Sequence, residues 1–295
     1  MTARIISGTE IARQITEEVR QEVAELKAKH GLTPGLATVL VGSDPASQMY
    51  VGAKSKACTN LGIYSERHDL PGNTSEAALL ELVEKLNRDP RIHGILVQSP
   101  PPPHINESKV IFAIDPRKDV DGFHPVSVGR MVIGEPGFLP CTPHGIQVLL
   151  ERSGVKTDGA EVVVVGRSNI VGKPIANIML QKAKGANSTV TICHSATRDI
   201  ASHTRRADIL IAAIGKPRFI TADMVKEGVV VIDVGVNEIG KTTEGKRILA
   251  GDVDFETVKE KAGAITPVPG GVGPMTIVML MSNTVRAARM AAGLD

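Results

Sequence analysis

The sequence predicts an α/β protein of two domains, the second built on a Rossmann-type parallel sheet. Three observations predict it. A chain of 295 residues is long for one compact core and comfortable for two. The first part alternates strand-like and helix-like segments, as a parallel sheet covered by helices requires. The second part carries four short apolar runs, EVVVV (161–165), TVTIC (189–193), DILIA (208–212) and VVVID (229–233). Runs this continuous are expected of parallel strands buried on both faces.

Taken in order, Ile11, Ile15, Val19, Val23 and Leu26 form one stripe of a long first helix. Ser7 and Glu10 have capping-box spacing at its start. A strand at 35–41 follows, then Asp44-Pro45 as N-cap and first residue of a second helix. A strand near 63–68, a helix over 75–87 and the strand GILV (94–97) complete the alternation. Residues 100–143 are rich in Pro and Gly, with short helical pieces at most. Thr142 and Pro143 suit the N-cap and first position of the next helix. The domain boundary is placed there, giving 1–140 and 141–274. Helical segments are expected near 172–184, 197–206 and 221–226. An apolar helix over 275–290 then ends the chain, and residues 275–295 are expected to pack back on the first domain.

Composition narrows the function. With 34 basic and 32 acidic residues the formal charge is only +2, which argues against coating nucleic acid or anionic lipid. Aromatics make up 2% of the chain, too few for base-stacking platforms. No signal-peptide pattern or membrane-length apolar run is present, so a cytoplasmic enzyme is expected. Cys58, Cys141 and Cys193 show no metal or disulfide spacing. They are expected to be buried thiols, and no metal site is expected.

After EVVVV the chain reads Gly166-Arg167-Ser168-Asn169-Ile170-Val171-Gly172. A strand running into a Gly-rich turn and a helix directs backbone N–H groups at a pyrophosphate. The fit to G-x-G-x-x-G is imperfect: Ser168 and Val171 take the second and third glycine positions, and Gly172 comes one residue late. An ordinary βα turn also reads this way, and the surrounding strands favour the nucleotide. An NAD-binding domain places an acid near the end of its second strand for the ribose hydroxyl. Here His194-Ser195-Ala196-Thr197-Arg198 follows instead, and no acid precedes Asp199. Arg167, Arg198 and the hydroxyls of Ser195 and Thr197 suit a 2′-phosphate, so NADP is expected over NAD. Arg198, at the start of a helix on this reading, is equally well a solvated surface charge.

Tyr50 and Lys54 are four apart and share a face of the second helix. Alone, such a pair is most often a surface contact. Gln98 follows a parallel strand, at the end where ligands bind. Asp119 and Asp121 in KDVDGF suit either a turn or a site.

In order along the chain, Tyr50-Val51-x-x-Lys54-x-Lys56-Ala57, GILVQ, KDVDGFHP, PCTPHG, VVGRSNIVGKP, TICHSAT, IDVGVN, GDVDF and PVPGGVGPMT resemble the bifunctional methylenetetrahydrofolate dehydrogenase/methenyltetrahydrofolate cyclohydrolase family. The similarity spans roughly residues 2 to 290. It implies a tetrahydrofolate substrate, NADP, a homodimer and a cleft between two α/β domains. By position, Lys54 would serve the cyclohydrolase, Gln98 would partner it, and Tyr50 would lie over the folate. Val97 and Ser99 would flank that site, and Asp121 would accept hydrogen bonds from the pterin. Pro269, Gly270, Gly271, Val272 and Gly273 would close over the substrate. Gly166, Arg167 and Ser168 would hold the cofactor's phosphates, with His194, Ser195, Thr197 and Ile232 lining the rest. The chain departs from the family at Ser99, where Leu is usual, and at Ser127, where Asn is common. These departures bear on the folate pocket's wall rather than on the reaction.

Hydride loss from a methylene bridge flanked by nitrogens needs alignment rather than an acid or base. Hydrolysing the cationic methenyl product needs a base. Lys54 is the candidate, an amine whose proton both burial and a cationic substrate would disfavour. Three rival readings stay open on sequence: a family member with one activity, an unrelated two-domain dehydrogenase, and a non-catalytic nucleotide-binding module.

Overall fold

The structure, a computed structural model, describes residues 2–242 and 244–294. Met1 and Asp295, at the outer ends of the predicted domain ranges, lie outside the described residues. The chain divides into two compact units. One contains Arg13–Cys141 and the residues from Ile277 on; the other contains the residues up to Ala12 and Thr142–Thr276.

The first of these units is built on a parallel sheet of β2 (Gly35–Val41), β3 (Tyr64–Leu70) and β4 (Gly94–Val97), in the order β3-β2-β4. All seven residues of the central β2 are buried. On one face Ala37, Val39 and Ile95 pack with Leu79, Val83 and Leu86 of α3 (Glu76–Arg88) and Val110 of α4 (Glu107–Ala113). Each such apolar side chain contributes roughly 1.5–3 kcal/mol on burial. β3 reads YSERHDL and forms an edge, where charge discourages pairing with other chains.

The helix α1 (Gly8–His30) buries the predicted stripe: Ile11, Ile15, Val19, Val23 and Leu26 are each at most 9% exposed. Ser7 Oγ accepts from Glu10 N–H, as capping-box spacing requires. The helix α2 (Pro45–Leu61) starts as predicted, with Asp44 accepting from Ser47 N–H at 2.8 Å. Between α4 and the unit's end lies α5 (Pro125–Ile133).

The other unit centres on a parallel sheet in the order β1-β11-β8-β7-β5-β6. Its strands are β1 (Arg4–Ile5), β5 (Glu161–Val165), β6 (Thr189–Cys193), β7 (Ile209–Ala212), β8 (Val230–Asp233) and β11 (Ala264–Ile265). The helices α6 (Cys141–Arg152), α7 (Gly172–Met179), α8 (Ile200–Thr204) and α9 (Phe255–Val258) intervene, as does an antiparallel hairpin of β9 (Asn237–Lys241) and β10 (Arg247–Ala250). The last helix, α10 (Val272–Ala291), starts in this unit, and its residues from Ile277 on belong to the first one.

Five differences from the sequence reading have physical reasons. Residues up to Ala12 belong with the nucleotide-type sheet, because Arg4 and Ile5 pair in parallel with Ala264 and Ile265. A strand of two residues carries no periodicity to read. β6 is an edge strand, not one buried on both faces, and Ile192 is 40% exposed. α6 begins at Cys141, so Thr142 and Pro143 lie in its first turn and Thr142 is not the cap. α7 and α8 are shorter than expected, and Arg198 precedes α8 in a loop. The β9–β10 hairpin is an addition, since its polar, Gly-containing strands carry no apolar alternation to reveal them.

Candidate active site

At the end of β4 in the three-stranded unit, Gln98 N–H donates to Val39 O, which continues the ladder one residue past the strand. This delivers the Gln98 side chain to a fixed place. Lys54 Nζ, on α2, donates to Gln98 Oε1 at 3.1 Å, and Gln98 Nε2 donates to Ser99 O at 2.7 Å. The amide is thus oriented by its neighbour, with its oxygen left for the amine. Tyr50, one helical turn before Lys54, is 44% exposed, so its ring is open to a ligand.

Asp121 completes the group. Burial raises its pKa, Lys54 and the Cys141 thiol pull the other way, and burial prevails. Cys141 is itself pushed well above the usual thiol range, by burial first and Asp121 second. The Cys141 thiol donates to Val120 O at 3.3 Å, and Asn283 Nδ2 donates to the same carbonyl at 2.8 Å and to Leu139 O at 3.1 Å. Val120, and with it Asp121, is therefore held from two sides. A cavity of about 40 Å³ is lined by Val97, Gln98, Ser99, Glu107, Asp119 and Asp121 among others, enough for the edge of a polar ring or a water.

Sequence reasoning missed two supports here, at Ser99 and Asn283, and left a third, Asp119, between a turn and a site. Ser99 Oγ donates to Glu107, so the departure at Ser99 carries a partner of its own. Asp119 accepts from Phe123 N–H at 3.2 Å and His124 N–H at 2.8 Å, which shapes the turn holding Asp121. Its carboxyl is raised to about 6, first by burial. Asn283, far along the chain, gives no local signal at all.

In the other unit, Gly166 follows β5 directly with φ +136°, and a Cβ there would meet Ala213 O at 2.1 Å. Gly172 opens α7 under Gly166, and a Cβ on it would meet Gly166 O at 2.3 Å. The late glycine thus performs the close helix-to-strand packing of the third fingerprint glycine. Ser168 Oγ accepts from Val171 N–H (3.1 Å) and Gly172 N–H (3.2 Å), in place of a second glycine.

After β6, His194 N–H donates to Thr197 Oγ1 at 2.9 Å, and Ala196 N–H to His194 Nδ1 at 3.2 Å. Ser195 and Arg198 are exposed beside this turn. Asp199, the first acid after the strand, accepts from Ser202 N–H as the cap of α8. Its carboxylate is committed to a helix end, which leaves the turn hospitable to a phosphate. Ile232 is wholly buried in β8, so its side chain belongs to the core and only its backbone can meet a ligand. In the turn before α10, Thr9 N–H donates to Gly270 O at 3.0 Å, Pro269 is exposed and Gly271 is buried; Val272 and Gly273 open α10, the first buried and the second exposed. Cys58, Cys141 and Cys193 are free and buried, as expected. Among the described residues no helix is long and apolar enough to cross a membrane.

The strand order reverses between β5 and β7, and in open α/β sheets a dinucleotide binds at that point. So built, the protein falls in the class of two-unit, dinucleotide-dependent α/β enzymes. Residues 6–121 match the catalytic domain of tetrahydrofolate dehydrogenase/cyclohydrolase, and residues 140–292 match its NAD(P)-binding domain. The chain belongs to the tetrahydrofolate dehydrogenase/cyclohydrolase family. It is 67% identical over 294 residues to the bifunctional protein FolD of Syntrophus aciditrophicus, covering 100% of both chains. It is 69% identical to that of Dehalococcoides mccartyi, covering 100% of this chain and 99% of the other. Among solved structures, the FolD methylenetetrahydrofolate dehydrogenase/cyclohydrolase of Campylobacter jejuni superposes with a TM-score of 0.91 at 46% identity, covering 98% and 99%. The Trypanosoma brucei enzyme, complexed with NADP cofactor and inhibitor, gives 0.93 at 38% identity, covering 99% of each chain.

Proposed function

We propose that this chain oxidises 5,10-methylenetetrahydrofolate with NADP and hydrolyses the resulting 5,10-methenyl product to 10-formyltetrahydrofolate, with Lys54 as the base of the second step. It is a bifunctional enzyme, and NADP is its cofactor. The observation that carries the assignment of Lys54 is its hydrogen bond to Gln98, which aims one amine from a rigid helix with a neutral partner.

The nucleotide unit fits its cofactor. The approach of Gly166 to Ala213 O leaves no room for a Cβ, as a turn receiving a pyrophosphate requires. Gly166, Arg167 and Ser168 would hold the phosphates. Ser195, Thr197 and His194 would surround the 2′-phosphate, and the backbone at Ile232 would border the far side. When bound, NADP accepts the hydride from the methylene carbon. The protein's part in that step is to fix the substrate, which removes an entropic barrier worth several kcal/mol.

For the hydrolysis, water adds to the methenyl carbon and passes a proton to the Lys54 amine. The hydroxyl of that adduct then gives up its proton to become the formyl carbonyl, as the carbon–nitrogen bond at N5 breaks and N5 takes a proton. Gln98 holds Lys54 without adding charge, Tyr50 lies against the folate, and Asp121 accepts from the pterin. Val97 and Ser99 border the ring. Lys54→Met is expected to abolish decay of methenyl absorbance while NADPH formation from the methylene substrate persists. Normal methenyl hydrolysis by that variant would overturn the role given to Lys54. A homodimer in the cytoplasm is the proposed working state; a monomer mass in light scattering would overturn the dimer.

A further inference from the structure

Of two motifs singled out in the sequence, IDVGVN and GDVDF, only the backbone at Ile232 enters the reading above. The structure brings their acids together. Asp233, at the end of β8, and Asp252, after β10, are 3% and 0% exposed. Their partners are chiefly backbone N–H groups. Asp252 Oδ2 accepts from Ile214 (2.5 Å) and Gly215 (2.9 Å), and Oδ1 accepts from Lys216 (3.0 Å). Asn237 Nδ2 also donates to Oδ1 at 2.9 Å. Asp233 in turn accepts from Asp252 N–H and Val253 N–H, at 2.9 and 3.0 Å, and so fixes Asp252 itself. The glycines of both motifs make the approach possible. A Cβ on Gly235 would meet Asp252 Oδ1 at 2.3 Å, and one on Gly251 would meet Asp233 Oδ2 at 1.8 Å.

The loop that Asp252 gathers follows β7 directly, and its first residue, Ala213, is the one whose carbonyl faces Gly166. It therefore forms the wall opposite the phosphate turn, across the point where strand order reverses. Three consecutive N–H groups on one buried carboxylate give this loop a single shape, which water-exposed hydrogen bonds would not.

We propose that Asp252 is a positioning residue for NADP, acting through the 213–216 loop and held in turn by Asp233. The proposal rests on the nucleotide lying at the Gly166 turn and is independent of the role given to Lys54. Calorimetric titration of the full-length enzyme with NADP tests it. Asp252→Asn, which sets an amide N–H₂ against backbone donors, is expected to raise the NADP Kd at least tenfold. Methenyl hydrolysis, which consumes no nucleotide, should stay within about threefold of the wild type. A Kd within twofold of the wild type overturns the proposal, as does a parallel loss of hydrolysis, which would mark a general structural role. If Asp252→Asn does not fold, Gly215→Val takes its place. Gly215 sits in the loop at φ +74°, and a Cβ on it would meet nothing within 4 Å, so only the loop backbone is strained. Weaker NADP binding with hydrolysis retained supports the proposal, and unchanged binding sinks it.

Discussion

Removing the acceptor that aims Lys54 gives a sharp test of the cyclohydrolase site. Gln98→Leu keeps much of the side chain's bulk and deletes the oxygen that lies 3.1 Å from Lys54 Nζ. A hydrogen bond involving a charged group contributes about 1.5–3 kcal/mol. If Gln98 acts by orienting Lys54, that full amount falls on the hydrolytic transition state. At about 1.4 kcal/mol per tenfold change, the expected loss is roughly 10- to 100-fold in methenyl hydrolysis. The hydride step uses no proton transfer and is expected to change by less than about threefold, an outcome followed by NADPH absorbance. The two assays run on one preparation, so a folding defect would depress both. In a Lys54→Met background the Gln98→Leu change should add almost nothing, since the partner it orients is already gone. Equal losses in the two activities, or an additive loss on top of Lys54→Met, would refute the coupling.

Other outcomes follow from the same geometry. Gly172→Ala places a Cβ within 2.3 Å of Gly166 O and 2.8 Å of Arg167 N, both backbone atoms. It should destabilise the nucleotide unit by about 1–3 kcal/mol or more in urea unfolding, and an unchanged midpoint would contradict the packing. The Asp119 carboxyl, raised to about 6 mainly by burial, binds its proton more tightly folded than unfolded. Its contribution to stability is therefore largest below about pH 4 and is lost as pH rises toward and through 6. Relative to Asp119→Asn, the wild type should lose stability on going from pH 5 to 7, on the order of 1–3 kcal/mol, and a pH-independent difference would exclude this. Asp44→Ala removes the cap on α2 and should cost about 1 kcal/mol in denaturant unfolding, with the hydrogen bond of Lys54 retained. An equally stable variant would show that the cap is idle.

Elements with a long regular pattern are legible in the sequence. The stripe on α1, the cap at Asp44 and four of the six strands of the nucleotide sheet all announce themselves by local chemistry. What escapes depends on partners distant in the chain. β1 is a strand because β11 lies beside it, not because two residues prefer extension. TVTIC reads as buried on both faces, and only the sheet order makes it an edge. In the site, motif resemblance names Lys54 and Gln98, whereas their hydrogen bond shows only in three dimensions. Asn283 gives no such signal, and Asp252 sits in the GDVDF motif without a role attached, because an Asn in an apolar helix and an Asp in a loop are ordinary residues until their backbone partners are seen. Ile232 shows the converse: a residue named for a ligand presents no side-chain surface to one.

The threading of the chain through its two units has a consequence for dissection. Because the chain changes unit after Ala12, after Cys141 and again after Thr276, neither unit is a contiguous stretch. A cut between Cys141 and Thr142 would yield an N-terminal fragment carrying β1 away from the sheet it completes, leaving β11 as an unprotected margin. The C-terminal fragment would carry Asn283 away from the carbonyls of Val120 and Leu139 that it fastens. The two pieces would regain both activities only when mixed, and neither would serve as a free-standing module.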